Sequence, residues 1–140
     1  MKLVDIYNVF KSNYPKYVIM IKSGYFYEVY GDGANILNNL FGYNIKNVSG
    51  SKRVGFPLVS FNKVCEKLSK FKINYVVIDN NKCICRKKYN FNRYSFFVDN
   101  LDIDIRIDNI VKRIHLLKDN PKVNDILDYI ERCLWEMNLR

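Results

Sequence analysis

Apolar positions along the chain switch several times between helical and strand spacing. Leu3, Ile6, Tyr7 and Phe10 recur every three to four residues and predict a helix over 3–12. Pro15 ends it, because the residue before a proline is pushed away from helical angles. "KYVIMIKSG" (16–24) is a short β-branched apolar run closed by a glycine, the pattern of a buried strand, and "YFYEVYG" (25–31) is rich in strand-forming aromatics. The Gly24 break and the Gly31-Asp32-Gly33 turn bracket the second run, so 17–23 and 25–30 pair as a hairpin or form one bulged strand. Asp32 is placed to cap a helix over 33–41 with Ile36, Leu37 and Leu40 on one face and Gly42 beyond its end.

"YNIKNVSGSKRVGFP" (43–57) reads as strand, Ser/Gly loop and strand, closed by Pro57. Ser60 is placed to cap a helix over 61–71 with Phe61, Val64, Cys65 and Leu68 on its apolar face. "INYVVID" (73–79) is the clearest buried strand. Asn80-Asn81 signals a turn, and 82–91 returns as its partner. Beyond residue 100 two periods compete: Leu101, Ile103, Ile105 and Ile107 alternate, whereas Ile107, Ile110, Val111, Ile114 and Leu117 follow a helix, which we take to begin near 105. Asn120-Pro121 reads as a cap with proline at the first helical position, followed by a helix over 121–138. The expected fold is a single α/β domain, a mixed sheet of about five strands flanked by helices over 1–98. An appended C-terminal helical pair over 99–140 packs on it or extends it.

A chain of 140 residues supports one such domain, and a 49% hydrophobic content is that of a globular protein. No apolar run reaches membrane-spanning length and the N-terminus lacks the layout of a signal peptide, so a cytosolic protein with no membrane role is expected. The net charge of +9 changes the picture more. Residues 1–96 hold 16 Lys/Arg against 5 Asp/Glu, and residues 97–140 hold 7 against 9. The positive excess lies in the first two thirds, and a polyanion is the natural partner, bound more weakly as salt rises. Basic surfaces also serve solubility.

Candidate chemistry is sparse. Cys83 and Cys85 form a C-x-C, which in a regular strand shares one face; with Cys65, Cys133 and only one histidine, His115, no zinc spacing arises, and the thiols read as small apolar residues. "GSKRVG" (50–55) lacks the phosphate-cradling spacing, and no nucleophile signature occurs. The carboxylates of the basic part are Asp5, Glu28, Asp32, Glu66 and Asp79, mostly explained by caps, helix faces and strand ends. No cofactor, metal or catalysis is expected. A small nuclease remains the weakest reading and would rest on Glu28 or Asp32.

One pair resists a packing explanation. Phe26 and Glu28 lie two apart in a predicted strand, so they share a face, and a carboxylate beside a ring is poor core chemistry. "GYFYEVYGDGA" (24–34) resembles the mismatch-recognition segment of the MutS family. "NYP" before the first strand, "RVGFP" at 53–57, the helix "SFNKVCEKLSKF" and the strand "NYVVID" follow in the order of that family's N-terminal domain. The resemblance covers roughly residues 3–80 and implies a MutS domain I-like fold.

The resemblance implies that Phe26 wedges into the duplex from the minor groove and stacks on a mismatched or unpaired base, and that Glu28 hydrogen-bonds that base in ionised or protonated form. The basic residues Lys22, Lys52, Arg53, Arg86, Lys87 and Lys88 would hold the backbone. Arg86, Lys87 and Lys88 equally suit a charged edge strand that resists aggregation, and Tyr25, Tyr27 and Tyr30 read as packing residues. Wedging unstacks a step at a cost of a few kcal/mol, less where pairing is already weak. The pattern departs from the family at Tyr25, where an Asp is usual, and at Leu58 and Val59, where Tyr-His is common. The clamp, lever and ATPase domains have no counterpart in these residues. The expected function is therefore non-enzymatic, ATP-independent binding of mismatched, bulged or kinked duplex DNA. The alternative is a protein-interaction module that dimerises or docks on a partner through residues 100–140.

Overall fold

The computed structural model describes residues 2–48, 50–100 and 103–138. The chain forms two compact units, Met1–Asp102 and Ile103–Arg140. The first is built on a six-stranded mixed sheet in the order β3-β4-β2-β1-β5-β6. Strands β1 (Val18–Ser23) and β2 (Phe26–Tyr30) form an antiparallel hairpin with Ser23 opposite Phe26 and Ile21 opposite Glu28. Its two-residue turn is Gly24-Tyr25, and Gly24 takes a φ of +60°, the positive value that a Gly-X hairpin turn needs at its first position. Strand β4 (Ser51–Pro57) pairs antiparallel with β2 and with β3 (Lys46–Val48). On the other side, β5 (Tyr75–Asp79) runs parallel to β1, and β6 (Lys82–Lys87) returns across Asn80-Asn81, both at positive φ.

The pleat sends alternate side chains to opposite faces. On one face Ile19, Ile21, Tyr30, Val76 and Ile78 are buried with Tyr7 of α1 (Leu3–Asn13), whose Leu3, Val4, Ile6 and Phe10 complete the cluster. On the other face Val18, Met20, Tyr27, Val29, Val54, Phe56, Tyr75 and Val77 are buried. Helices α2 (Asp32–Phe41) and α3 (Phe61–Lys70) contribute Ala34, Ile36, Leu37, Leu40, Val64 and Leu68 to the same core. The ring of Phe61 stacks on Tyr27 at 4.7 Å. A short helix α4 (Tyr94–Asp99) packs on α2, where Asn39 Nδ2 donates to the Phe97 carbonyl at 2.8 Å. The second unit is a pair of helices, α5 (Ile103–Leu116) and α6 (Val123–Asn138).

The α/β class and the order of elements agree with the sequence reading, and several details differ. The sheet has six strands, since the short β3 is a full member. Asp32 is the first residue of α2, with Gly31 at its cap position, and neither Asp32 nor Ser60 caps a helix through its side chain. Leu58–Ser60 form one turn of 3-10 helix that leads into α3. The ladder slips between Val77 and Ile78, so Cys83 faces Ile78 while Cys85 faces Val77. The bulge puts the two thiols on opposite faces, and all four cysteines are free. α4 was not foreseen. The helical period wins over the alternating one from Ile103 onward, and Leu101 and Ser49 lie outside the described residues. The last helix is regular from Val123, two residues later than expected, while Asn120 does cap it: its Oδ1 accepts from the Lys122 amide at 2.9 Å and its carbonyl from the Val123 amide at 3.0 Å.

Truncating a core side chain tests this assignment. Leu37 has no exposed surface, so Leu37→Ala is expected to lower the unfolding free energy in urea by about 2–5 kcal/mol. Val59→Ala, at an exposed position, is expected to change it by less than about 0.5 kcal/mol.

Candidate nucleic-acid interface

Strand β2 alternates between two environments. Tyr27 and Val29 point into the core beneath α2 and α3, and Phe26, Glu28 and Tyr30 point to the α1 face. Tyr30 is covered by Tyr7, with ring centroids 5.7 Å apart. α1 leaves the rest of that face open, and Phe26 is 49% exposed. Opposite them on β4, residues 53, 55 and 57 project to the same side: Arg53 is half-buried, and Gly55 and Pro57 are exposed. The result is an open cleft of about 430 Å³ lined by Phe26, Glu28, Tyr43, Asn44, Lys46, Arg53 and Gly55.

Glu28 lies low in this cleft, with 14% of its side chain exposed. Its carboxyl rests over Gly55, its ladder partner: a Cβ there would stand 2.9 Å from Oε2 and 3.3 Å from Oε1. A glycine at 55 thus makes the room in which the carboxyl lies. Arg53 Nε approaches Oε2 at 3.5 Å, an ion-pair distance, but Oε2 has no hydrogen-bond donor among the described residues. Burial pushes the Glu28 carboxyl above its ordinary value of 4.5, and the nearby positive charges of Arg53 and Lys46 only partly offset it. The group is a buried acceptor with unused capacity, made more ready than a surface glutamate to hold a proton and so to donate.

The structure brings together Phe26, Glu28 and Arg53 of the residues singled out in the sequence. Lys22 stands opposite Tyr27, hence on the other face, and approaches Asp79 at 3.9 Å. Lys52 also points to the other face, where its Nζ reaches Asn35 of α2 at 3.4 Å. Arg86 and Lys87 lie on the far edge strand β6, with Lys88 just beyond it. Strands β1 and β5 separate that edge from β2, a distance of roughly 14 Å at ordinary strand spacing. Tyr27 and Tyr30 are buried as expected; Tyr25 is not a packing residue, since the turn holds it 84% exposed. The sequence reading missed Lys46, Tyr43 and Asn44. Pairing 46 with 53 follows from the two short strands of "NVSGSKRV" closing as a hairpin. Among the described residues no group of three or more His, Cys, Asp or Glu side chains is placed to hold a metal ion, and no helix is long and apolar enough to cross a membrane.

Residues 2–94, the whole of the sheet with α1, α2 and α3, match the family described as MutS domain I. The chain belongs to that family. MutS domain I is a DNA-binding module of the mismatch-recognition kind. No curated protein sequence matches the chain.

The raised Glu28 value has a stability consequence. The native state holds this proton more tightly than the unfolded chain, so its contribution is fully present below the ordinary value of 4.5 and is lost as pH rises through the higher native value. Glu28→Gln removes the titration. Its melting temperature relative to wild type is expected to rise as pH increases from below the ordinary carboxyl value of 4.5 through the higher native value; a constant or falling difference would contradict a desolvated carboxyl. In a carboxyl NMR titration the Glu28 midpoint is expected above 4.5, and to fall in Gly55→Ala as the added methyl displaces the group toward water.

Proposed function

We propose that this MutS domain I protein binds duplex DNA containing a mismatch, bulge or kink, with Phe26 as an aromatic wedge and Glu28 as a base contact, and that it does so without catalysis. The observation that carries the reading is the placement of a half-exposed ring and a desolvated acid side by side on the uncovered part of a sheet, with Lys46 and Arg53 beside them. Inserting a ring into a stacked step costs a few kcal/mol, and a step already weakened costs less, so the wedge discriminates by energy rather than by base sequence. Lys46 and Arg53 offer charge for the flanking phosphates, and Glu28, repelled by phosphates, has a role only toward a base edge. Protonated, it donates to a base nitrogen; ionised, it accepts from an amino group.

A second reading draws on the C-terminal helices. Ile103, Ile107 and Ile110 of α5 and Leu134, Trp135 and Met137 of α6 are exposed apolar residues, more than an isolated helical pair needs to leave in water. In this reading α5 and α6 dock on a protein partner or a second copy. Sedimentation of the full chain and of Trp135→Glu separates the two cases: a dimer lost in the variant favours self-association, and a monomer at all concentrations removes it.

For the leading reading, the chain is expected to bind a mismatched duplex more tightly than the matched one, with affinity falling as salt rises. Phe26→Ala is expected to cost roughly tenfold on the mismatched duplex, within the range for losing one base–aromatic stack, and to erase the preference. Equal affinity for both duplexes with no loss in the variant would remove the wedge.

A further inference from the structure

A second cleft opens between α1 and the start of β1, away from the wedge. It has a volume of about 220 Å³ and reaches down to Ile19. Phe26 pairs with Ser23 at the other end of that strand, four residues or roughly 13 Å further on. Four tyrosines line the cleft. Tyr7 and Tyr94 are buried, and Tyr14 and Tyr17 are half-buried with ring centroids 5.5 Å apart, edge to face. Three charged side chains of the lining, Lys11, Lys16 and Asp32, are exposed. Lys11 Nζ lies 5.8 Å from the centre of the Tyr7 ring.

One asparagine ties two parts of this lining together. Asn92 Nδ2 donates to the Lys16 carbonyl at 2.8 Å, and its Oδ1 accepts from the Tyr94 amide at 3.1 Å. Lys16 is held there at a φ of +59°, a left-handed conformation that a side-chain-bearing residue adopts only where its surroundings impose it. Burial first, and the charge of Asp32 second, push the Tyr7 and Tyr94 hydroxyls above the ordinary value of 10.0, so both keep their protons at neutral pH.

We infer that this cleft binds a guanine nucleotide, with the base against the tyrosine rings, its Watson–Crick edge on Asp32 and its phosphate on Lys11 and Lys16. Tyrosine faces stack on any base. The cleft is smaller than the roughly 300–1,000 Å³ of drug-sized pockets, room for one ring system with the sugar and phosphate outside. Asp32 selects the base. An ionised carboxylate only accepts, and guanine presents two adjacent donors, N1–H and the 2-amino group, that it takes in parallel. Guanine O6 then lies beside them to accept from a tyrosine hydroxyl. Adenine and cytosine each set one amino donor beside an acceptor nitrogen, which a carboxylate repels. The lysines offset the repulsion between Asp32 and a phosphate. This cleft shares no lining residue with the one around Phe26 and Glu28, so the inference goes beyond the wedge reading and does not depend on it.

The same chemistry comes from a free mononucleotide or from a guanosine within a single strand. Calorimetric titration of the full chain with GMP, AMP, inorganic phosphate and oligothymidylate with or without one central dG tests the inference and separates the sources. GMP is expected to bind saturably, roughly tenfold more tightly than AMP, with inorganic phosphate weaker than both. Asp32→Asn is expected to erase the preference for GMP, and Tyr17→Ala to weaken both nucleotides roughly tenfold, as for one lost base stack. Lys11→Gln, at an exposed position, is expected to weaken both and leave the preference intact. A dG strand that binds more tightly than GMP, with the same dependence on Asp32, assigns the ligand to a strand; equal affinities assign it to the free nucleotide. GMP and AMP bound alike by wild type, Asp32→Asn and Tyr17→Ala both binding GMP like wild type, or saturable binding of neither GMP nor the dG strand would overturn the inference. Unchanged circular dichroism spectra are the accompanying check on the variants.

Discussion

One helix about 10 Å wide covers only about two strand spacings, and the sheet beneath α1 is roughly 24 Å across. That mismatch of width governs the rest of the molecule. α1 seals the side of its face over β1 and β5, ending at the contact of Tyr7 with Tyr30. Gly31 follows at a φ of +67°, and a side chain there would run into the Tyr7 hydroxyl. Among the described residues of the first unit, no helix lies over the face beyond, on β2, β4 and β3. The opposite face is closed by α2 and α3. Strand β2 thus serves both as a core strand, through Tyr27 and Val29, and as an open platform, through Phe26 and Glu28. The period of two makes both roles possible in five residues.

Within the open cleft the local chemistry is a balance between burial and charge. Two cations close to a carboxylate would ordinarily hold its proton affinity down. Here desolvation prevails, because Gly55 lets the carboxyl sink against the backbone of β4 and Arg53 meets it at the edge of ion-pair distance. A fully exposed glutamate would be an acceptor repelled by the DNA backbone. A deeply buried one, paired on all sides, would have no capacity left for a ligand. The position between those extremes links the glycine of "RVGFP" to the glutamate of "FYE" through one cross-strand pair.

Much of this was legible in the residues. Alternation and turn chemistry located β1, β2 and β5 and the turns at Gly24 and Asn80-Asn81. Helical spacing located α1, α2 and α3. Phe26 and Glu28 stood out because an acid and a ring at spacing two make poor core. What escaped was governed by tertiary context. Lys22 and Lys52 are basic neighbours of the site in sequence, yet the pleat turns them to the far face. The charge run Arg86-Lys87-Lys88 lies beyond two intervening strands, a distance set by strand order, which no local pattern encodes. The bulge at Ile84 reversed the expected facing of Cys83 and Cys85. Tyr25 reads as packing by composition alone and is exposed only because a two-residue turn holds it.

The central claim is that the uncovered half-face of the sheet, rather than the basic surface as a whole, meets nucleic acid. Amide chemical-shift mapping during titration with a mismatched duplex tests it most directly. The account predicts the largest changes at Phe26, Glu28, Lys46, Arg53 and Gly55 and little change along α3. Changes concentrated at Lys63, Lys67 and Lys70 of α3 or at Arg86 to Lys88, with Phe26 and Gly55 unmoved, would contradict it.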